Sequence, residues 1–491
     1  MNRVGIVFSQ LVVCFSLGVL YNNAPSEVNG GYIFGCLLLV LCSIFLMQFN
    51  SKNRMLKGNP FTVTNFFLIG LSITSFQIPV EYLLDSFSHV KFQEYFFDLS
   101  IVNASVCFSS IAISVFSLGQ LSIANVQKKI GDNPTASFNQ SSRIRINLAP
   151  FITITILLFI LHIATVDFRY YLGGYSQYSI SGLSLVAHGY LMRFIVVSFF
   201  LVMWNYKLKS MNGPNKLSMI KYLRIFPTKL LIVIGVLFVL TFLSGDRGVL
   251  IRIMLLMAFG FFIVSRTKIR YITFVIVVVT VGFVFSIAKL VGGYSEQESY
   301  VSSFQQAQER FAVSDRSQSV SPYTLELAGS IYSNNILFSL WRSGVSLQGA
   351  GVIAGVLMAF PGGVSLFSAV TGLSNETVNS SNLATVISNQ DYGVGTSIVG
   401  DALINVGLLG ALFSFFVLGR LFRIVDVNLY KSNPNFEYLL LGCIFIAEAI
   451  ILPRASMFNL IGVFVFDYLI IKLLIGIYSK SLIKQSNTLP N

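Results

Sequence analysis

Apolar residues in this chain fall into runs of about twenty, separated by short polar stretches rather than alternating with them. As a helix, a run of that length reaches across the roughly 30 Å hydrocarbon core of a bilayer. The pattern therefore predicts an all-α, polytopic integral membrane protein. The predicted spans are residues 4–21, 31–49, 60–80, 99–119, 148–166, 183–205, 230–246, 248–265, 272–292, 397–419, 437–453 and 457–478, about twelve helices in all. The first follows Met1-Asn2-Arg3 and ends at "YNNAPSEVNG" without a convincing small-residue cleavage site, so it reads as a retained helix.

The polar stretches sort by charge. Those at 50–59, 120–147, 206–229, 266–271 and 420–436 carry most of the basic residues, whereas 22–30, 81–98, 167–182 and 293–396 carry few for their length. Lys and Arg mark the cytoplasmic side, which places both termini in the cytoplasm. Three regions follow: transmembrane helices over 1–292, a large outer loop over 293–396, and further transmembrane helices over 397–491. The loop, at about 100 residues, is longer than a mere connection requires. Within it, 349–372 is apolar but interrupted by Pro361-Gly362-Gly363, and is expected to be re-entrant or interfacial; two further short spans would also preserve the parity.

Composition agrees: 54% of residues are hydrophobic, 11% are charged, and the mean hydropathy is +0.75. The net charge of +13 lies in alternate loops and reports topology, not nucleic-acid binding. The five cysteines sit inside apolar runs without a CxxC pair, as packing residues do.

Against this background a few charges stand out. In "TFLSGDRGVL" (241–250), Asp246 and Arg247 occupy an outer turn between two spans, and an ion pair capping both helices would account for them. Arg252 lies about 7 Å deeper along the next helix, and Arg193 is near the middle of its span. Arginine at such depth needs a partner or a polar cavity, so these residues point to an anion-attracting, water-filled cavity open to the outside. Arg310, Arg316 and Arg342 in the large loop and Arg454 in a short outer turn add to the positive charge, although each taken singly reads as a solvated surface residue. Guanidinium matches phosphate through paired charge-assisted hydrogen bonds, which makes a lipid-linked diphosphate the expected anion.

Asp401, a few residues inside the tenth span, is expected to pair with an arginine or to act as a general base, the ion pair being favoured. Glu448 and Asp467, the latter five residues before Lys472, read as helix-packing residues. His89, His162 and His188 do not cluster in spacing, and neither a metal-ligand motif nor a nucleotide-binding loop appears, so no metal or cofactor is expected. The tyrosines of the outer loops suit either an interfacial belt or sugar stacking.

The chain resembles the Wzy-type O-antigen polysaccharide polymerases of the bacterial inner membrane. The resemblance rests on "SGDRG" (244–248), "FPGG" (360–363), "PRAS" (453–456) and above all "YGVGTSIVGDALINVGLLGALFSFFVLGRLF" (392–422). In the last, Gly393, Gly395, Ser397, Asp401, Asn405, Gly407 and Gly410 match the family's helix after the large loop, with Asp401 where glutamate is more usual. As topology it covers residues 150–475, with specific motifs at 244–248 and 392–410.

The resemblance implies a GT-C-like membrane glycosyltransferase working on undecaprenyl-diphosphate-linked oligosaccharides at the periplasmic face. The growing chain would leave its carrier and join the non-reducing end of a new lipid-linked repeat unit. Arg247 and Arg252 would hold the donor diphosphate, with Arg193, Arg342 and Arg454 as further candidates and Arg310 and Arg316 as loop contacts to substrate. Asp401 or Asp246 would orient an arginine or accept the acceptor's proton. Membrane lipids and a chain-length regulator are the implied partners. An O-antigen ligase is the nearest alternative, but the family's catalytic histidine would be sought in 293–396, which contains none. A lipid-linked sugar flippase would be expected to show repeated halves.

Overall fold

A computed structural model describes residues 3–49, 60–84, 95–123, 146–172, 180, 182–209, 217–244, 246–265, 324–357, 360, 362–373, 375–389, 394–430, 436–470, 472–473 and 476. Among the described residues there are helices and turns and no strand. Among the described residues, seven helices are long and apolar enough to cross a membrane: Val4–Asn22, Gly30–Gln48, Val63–Leu83, Leu99–Ser122, Gly182–Lys207, Gly248–Ser265 and Ile398–Leu429. Ala149–Thr165, Thr228–Ser244 and Leu460–Leu469 are shorter apolar helices. The expected span at 272–292 lies outside the described residues. That expected at 437–453 is a helix only over Phe436–Glu448, after which the chain turns through a 3-10 segment containing Pro453.

The long helices are α1 (Arg3–Asn22), α2 (Gly30–Phe49), α3 (Val63–Leu83), α4 (Val102–Ser122), α5 (Ala149–Thr165), α6 (Gly182–Lys209), α7 (Thr228–Ser244) and α8 (Arg247–Ser265). After the loop helices α9 (Ser330–Arg342), α10 (Ala350–Leu357), α11 (Gly363–Thr371) and α12 (Ser380–Ser388) come α13 (Ile398–Leu429), α14 (Phe436–Glu448) and α15 (Asn459–Val463).

At the centre is α4, touched by α1, α2, α9 and α13. Its sequence explains why: "ASVCFSSIAISVFSLGQLS" is rich in Ala, Ser, Cys and Gly, small residues that let helix backbones approach inside a bilayer, where lipid tails supply no competing drive. The closest approach is a reciprocal glycine crossing with α13. A Cβ on Gly119 would strike the Phe416 carbonyl, and one on Gly419 would strike the Phe116 carbonyl. Phe67, Phe116 and Phe422 fill the space beside the crossing, with ring centroids 5.1 to 5.9 Å apart.

Polar side chains pin the same bundle. Gln10 of α1 donates to Ser43 Oγ of α2 (2.6 Å) and to the Ser114 carbonyl of α4 (2.8 Å). The buried Asp426 of α13 accepts from the N–H groups of Val63 and Thr64 (3.0 and 3.2 Å) and from the Thr64 hydroxyl (2.6 Å), so it caps α3 from another helix. A carboxylate there satisfies orphan N–H donors and complements the helix dipole.

The described part of the large loop folds onto this bundle. α9 lies against α4 and α13, where Asn334 Nδ2 donates to Ser105 Oγ (3.0 Å) and Asn335 Oδ1 accepts from the Asp98 N–H (2.9 Å). α10 and α11 are the two halves of the interrupted apolar stretch. At eight and nine residues they are about 12 and 13 Å long, too short to cross the hydrocarbon singly.

Because a backbone carbonyl blocks the space, Gly419→Val is expected to cost at least about 2 kcal/mol and to remove most folded protein from detergent extracts. Gly235→Ala on α7, where a Cβ meets nothing within 4 Å, should stay within about 1 kcal/mol of the parent in thermal unfolding.

Candidate functional site

The two arginines predicted to lie deep in the membrane reach the same place. A cavity of about 300 Å³ opens between α6, α8, α14 and the helix that begins with α15, lined among others by His188, Arg193, Arg252, Glu448 and Asp467. Gly355 of α10 also lines it, so a loop helix forms part of the wall.

Each arginine has a carboxylate partner. Arg252 donates through Nη2 to Glu448 Oε2 at 2.9 Å, joining α8 to the last residue of α14. Arg193 Nε stands 3.7 Å from Asp467 Oδ1, and its guanidinium lies over the rings of Tyr190 (5.4 Å) and Phe466 (4.8 Å). The four formal charges cancel in pairs, which is what allows them at this depth. Glu448 and Asp467, expected to serve helix packing, join their helices to those of the arginines and also line the cavity. Lys472, the basic residue nearest Asp467 in sequence, pairs with Glu437.

Three buried atoms of this wall have no hydrogen-bond partner among the described residues: Arg252 Nε, His188 Nδ1 and Asp467 Oδ1. One is a donor, one an acceptor, and the imidazole nitrogen can be either. A buried polar group without a partner costs about 1–3 kcal/mol, so three such groups on residues of one wall set this cavity apart as a polar one. Asp467 also sits within a π-helical stretch, Phe464–Ile470. Such turns are rare and gather at functional positions.

The histidines, unrelated by spacing, meet because α5 packs along α6: the rings of His162 and His188 are 4.9 Å apart. His162 is fully buried, with Nε2 2.6 Å from the Tyr171 hydroxyl and Nδ1 3.0 Å from Ser184 Oγ. Beside Tyr171, the Tyr170 hydroxyl donates to Asp246 Oδ2 at 3.2 Å. Burial and then the Asp246 charge push the Tyr170 hydroxyl well above its ordinary pKa, so it stays a donor. Asp246 in turn accepts from the Gly248 N–H at 3.0 Å and caps α8, the helix that carries Arg252. The backbone of Arg247 opens that helix; its side chain lies outside the described residues.

Asp401 differs from expectation. Its Oδ1 accepts from Ser380 Oγ (2.6 Å) and Asn405 Nδ2 (3.3 Å), and its Oδ2 from Ser456 Oγ (2.8 Å) and the Met457 N–H (2.9 Å). Four neutral donors, not an arginine, satisfy the buried carboxylate, because α12 and the 456–457 turn both bring hydroxyls to the first turn of α13. The surrounding motif reads the same way. Gly407, at φ +69°, breaks α13, and the freed carbonyls of Ile404 and Asn405 accept from Leu347 N (2.9 Å) and Gly349 N (2.7 Å). The Asn405 side chain accepts from Gly351 N at 3.0 Å. These residues weld the large loop to the bundle.

Arg454 is half-buried against Gly395, whose added Cβ would lie 3.4 Å from its Nε, and Arg342 is exposed at the end of α9. Neither lines the cavity. Arg310 and Arg316 lie outside the described residues.

A family model described as O-antigen polysaccharide polymerase Wzy matches residues 5–486, nearly the whole chain and more than the sequence motifs alone cover. The chain belongs to that family, whose members act on lipid-linked oligosaccharide repeat units in membranes, and it is a multi-pass membrane protein. No curated protein and no solved structure matches it significantly.

If Arg252 and Glu448 compensate one another, Glu448→Ala should lower stability by about 1–3 kcal/mol, between an exposed pair and a fully buried one. Glu448→Leu combined with Arg252→Met should recover most of that loss, as read by thermal unfolding in detergent.

Proposed function

We propose that this member of the O-antigen polymerase family joins undecaprenyl-diphosphate-linked repeat units, and that the cavity between α6, α8 and α14 holds the diphosphate of the donor. The observation that carries the reading is the convergence of Arg193 and Arg252, from separate helices, on one cavity within a membrane bundle. Cleavage of the bond between sugar and diphosphate leaves added negative charge on the departing oxygen, and guanidinium groups fixed beforehand stabilise it most. Arg252 suits this task because Glu448 engages only its Nη2 and the side chain remains 31% exposed beside the cavity.

Arg247, five residues before Arg252 on the same helix, is a further candidate for the diphosphate by its place in the sequence. Asp246 positions that helix as its cap. Asp401 acts at one remove: it holds Ser456 and Met457, next to Ala455 in the cavity wall. Arg342 and Arg454, with Arg310 and Arg316, are assigned to the sugar chain rather than to the diphosphate.

The transfer needs no nucleotide, because the diphosphate linkage already activates the donor, and no metal ion, because the arginines supply the positive charge. The bias of Lys and Arg supports a topology with both termini cytoplasmic and residues 293–396 on the periplasmic side, the apolar runs support about twelve spans, and family membership supports an inner-membrane protein of GT-C-like character. A chain-length regulator would meet the protein on that side.

In a host strain deleted for the gene, the wild-type chain should restore the surface-glycolipid ladder on a gel. Arg252→Ala, accumulating normally in the membrane, should leave a core bearing a single repeat, consistent with a loss of about 100-fold or more in transfer. A full ladder with Arg252→Ala would remove the diphosphate from this cavity. Loss of every repeat in the deletion strain would point to a ligase or a flippase instead.

A further inference from the structure

Resting on the reading above, the structure assigns a second role within the same cavity: we propose that the Asp467 carboxylate receives the proton of the acceptor sugar's hydroxyl. The argument starts from the acid's surroundings. Asp467 is 5% exposed and lines the cavity, and its Oδ1 has no hydrogen-bond donor among the described residues. Asp401 and Asp426, equally buried, are each saturated by neutral donors. Among these three, Asp467 alone both lines the cavity and has a carboxylate that neutral donors do not saturate.

Local structure supports the assignment independently. Asp467 lies within the π-helical stretch Phe464–Ile470, and such turns are rare and gather at functional positions. Arg193, lodged between the rings of Tyr190 and Phe466, stands 3.7 Å from Oδ1, close enough to hold the carboxylate by charge but too far to occupy it with a hydrogen bond. The carboxylate can therefore take a hydroxyl proton without displacing the arginine.

The step balances without a further reactant. The acceptor oxygen attacks the anomeric carbon of the donor chain and forms the new glycosidic bond. The bond from that carbon to the diphosphate oxygen breaks, its electron pair leaving on the diphosphate beside Arg252, and the hydroxyl proton passes to Asp467. The charged and titratable groups around Asp467 are Arg193, His188 and Tyr190 from α6, Arg252 from α8, Glu448 from α14, and Tyr468 and Lys472 on its own segment, with Lys472 held by Glu437.

The test uses the purified full-length chain in lipid vesicles, with lipid-diphosphate-linked repeat units extracted from the deletion strain. Asp467→Asn should lower kcat by about 100-fold or more while KM changes by less than about threefold. Asp467→Glu, which keeps the carboxylate, should recover part of the rate. Wild-type kcat should fall on acidification as the base is protonated, and the residual activity of Asp467→Asn should lack that acid limb. Turnover of Asp467→Asn within about threefold of wild type, or survival of the limb in it, overturns the assignment. Where Asp467→Asn does not accumulate, the wild-type profile decides, and one that is flat down to about pH 4 overturns it. Arg252→Ala separates the two readings: if it alone abolishes transfer, the proton acceptor is elsewhere and the cavity stands; if both variants polymerise normally, the cavity assignment falls as well.

Discussion

A charge at the depth of Arg193 must find its counter-charge inside the bundle, because neither water nor lipid will supply one. Much of this molecule follows from that constraint. It requires α6 to face the C-terminal helix that carries Asp467, and α8 to face the end of α14 that carries Glu448. Two pairs from four segments then enclose a cavity whose walls are charged but whose sum is neutral.

Buried carboxylates elsewhere obey the same constraint with different means. Asp426 is satisfied by the first N–H groups of α3, and Asp401 by hydroxyls and an amide from three segments. Those two acids fasten helices and loops together, and their oxygens are fully engaged in doing so. Arginine cannot be compensated by backbone N–H groups, and at Arg193 and Arg252 a carboxylate from another helix does so instead, so the site arises where the bundle provides it.

Small residues decide how near those helices come. The reciprocal crossing of Gly119 and Gly419 brings α13 against α4, and the break at Gly407 then releases two carbonyls that bind the turn leading into α10. Through α10 the large loop reaches the cavity wall at Gly355, so a loop helix and the membrane helices form one enclosure. Asp246 and Tyr170 secure the first turn of α8, setting the position at which Arg252 enters.

Much of this was legible in the sequence. Runs of about twenty apolar residues dictate helices that cross a membrane, because a backbone in hydrocarbon must satisfy its own hydrogen bonds. The depth of Arg193 and Arg252 follows from counting along those helices, and it was enough to predict a polar cavity. The partners were not legible. Glu448 and Asp467 lie 196 and 274 positions away, beside nearer basic residues that suggested other pairings, and only helix packing brings them in. Asp401 looked unpaired for the same reason, since its donors Ser380 and Ser456 are ordinary residues until two turns fold against α13. His162 and His188 meet only because α5 lies along α6. The sequence by itself determined which residues are too costly to leave alone in a membrane, because that cost depends on depth and residue type. Which groups relieve it was decided by the tertiary structure, because electrostatic compensation acts over a few ångströms and takes no account of separation along the chain.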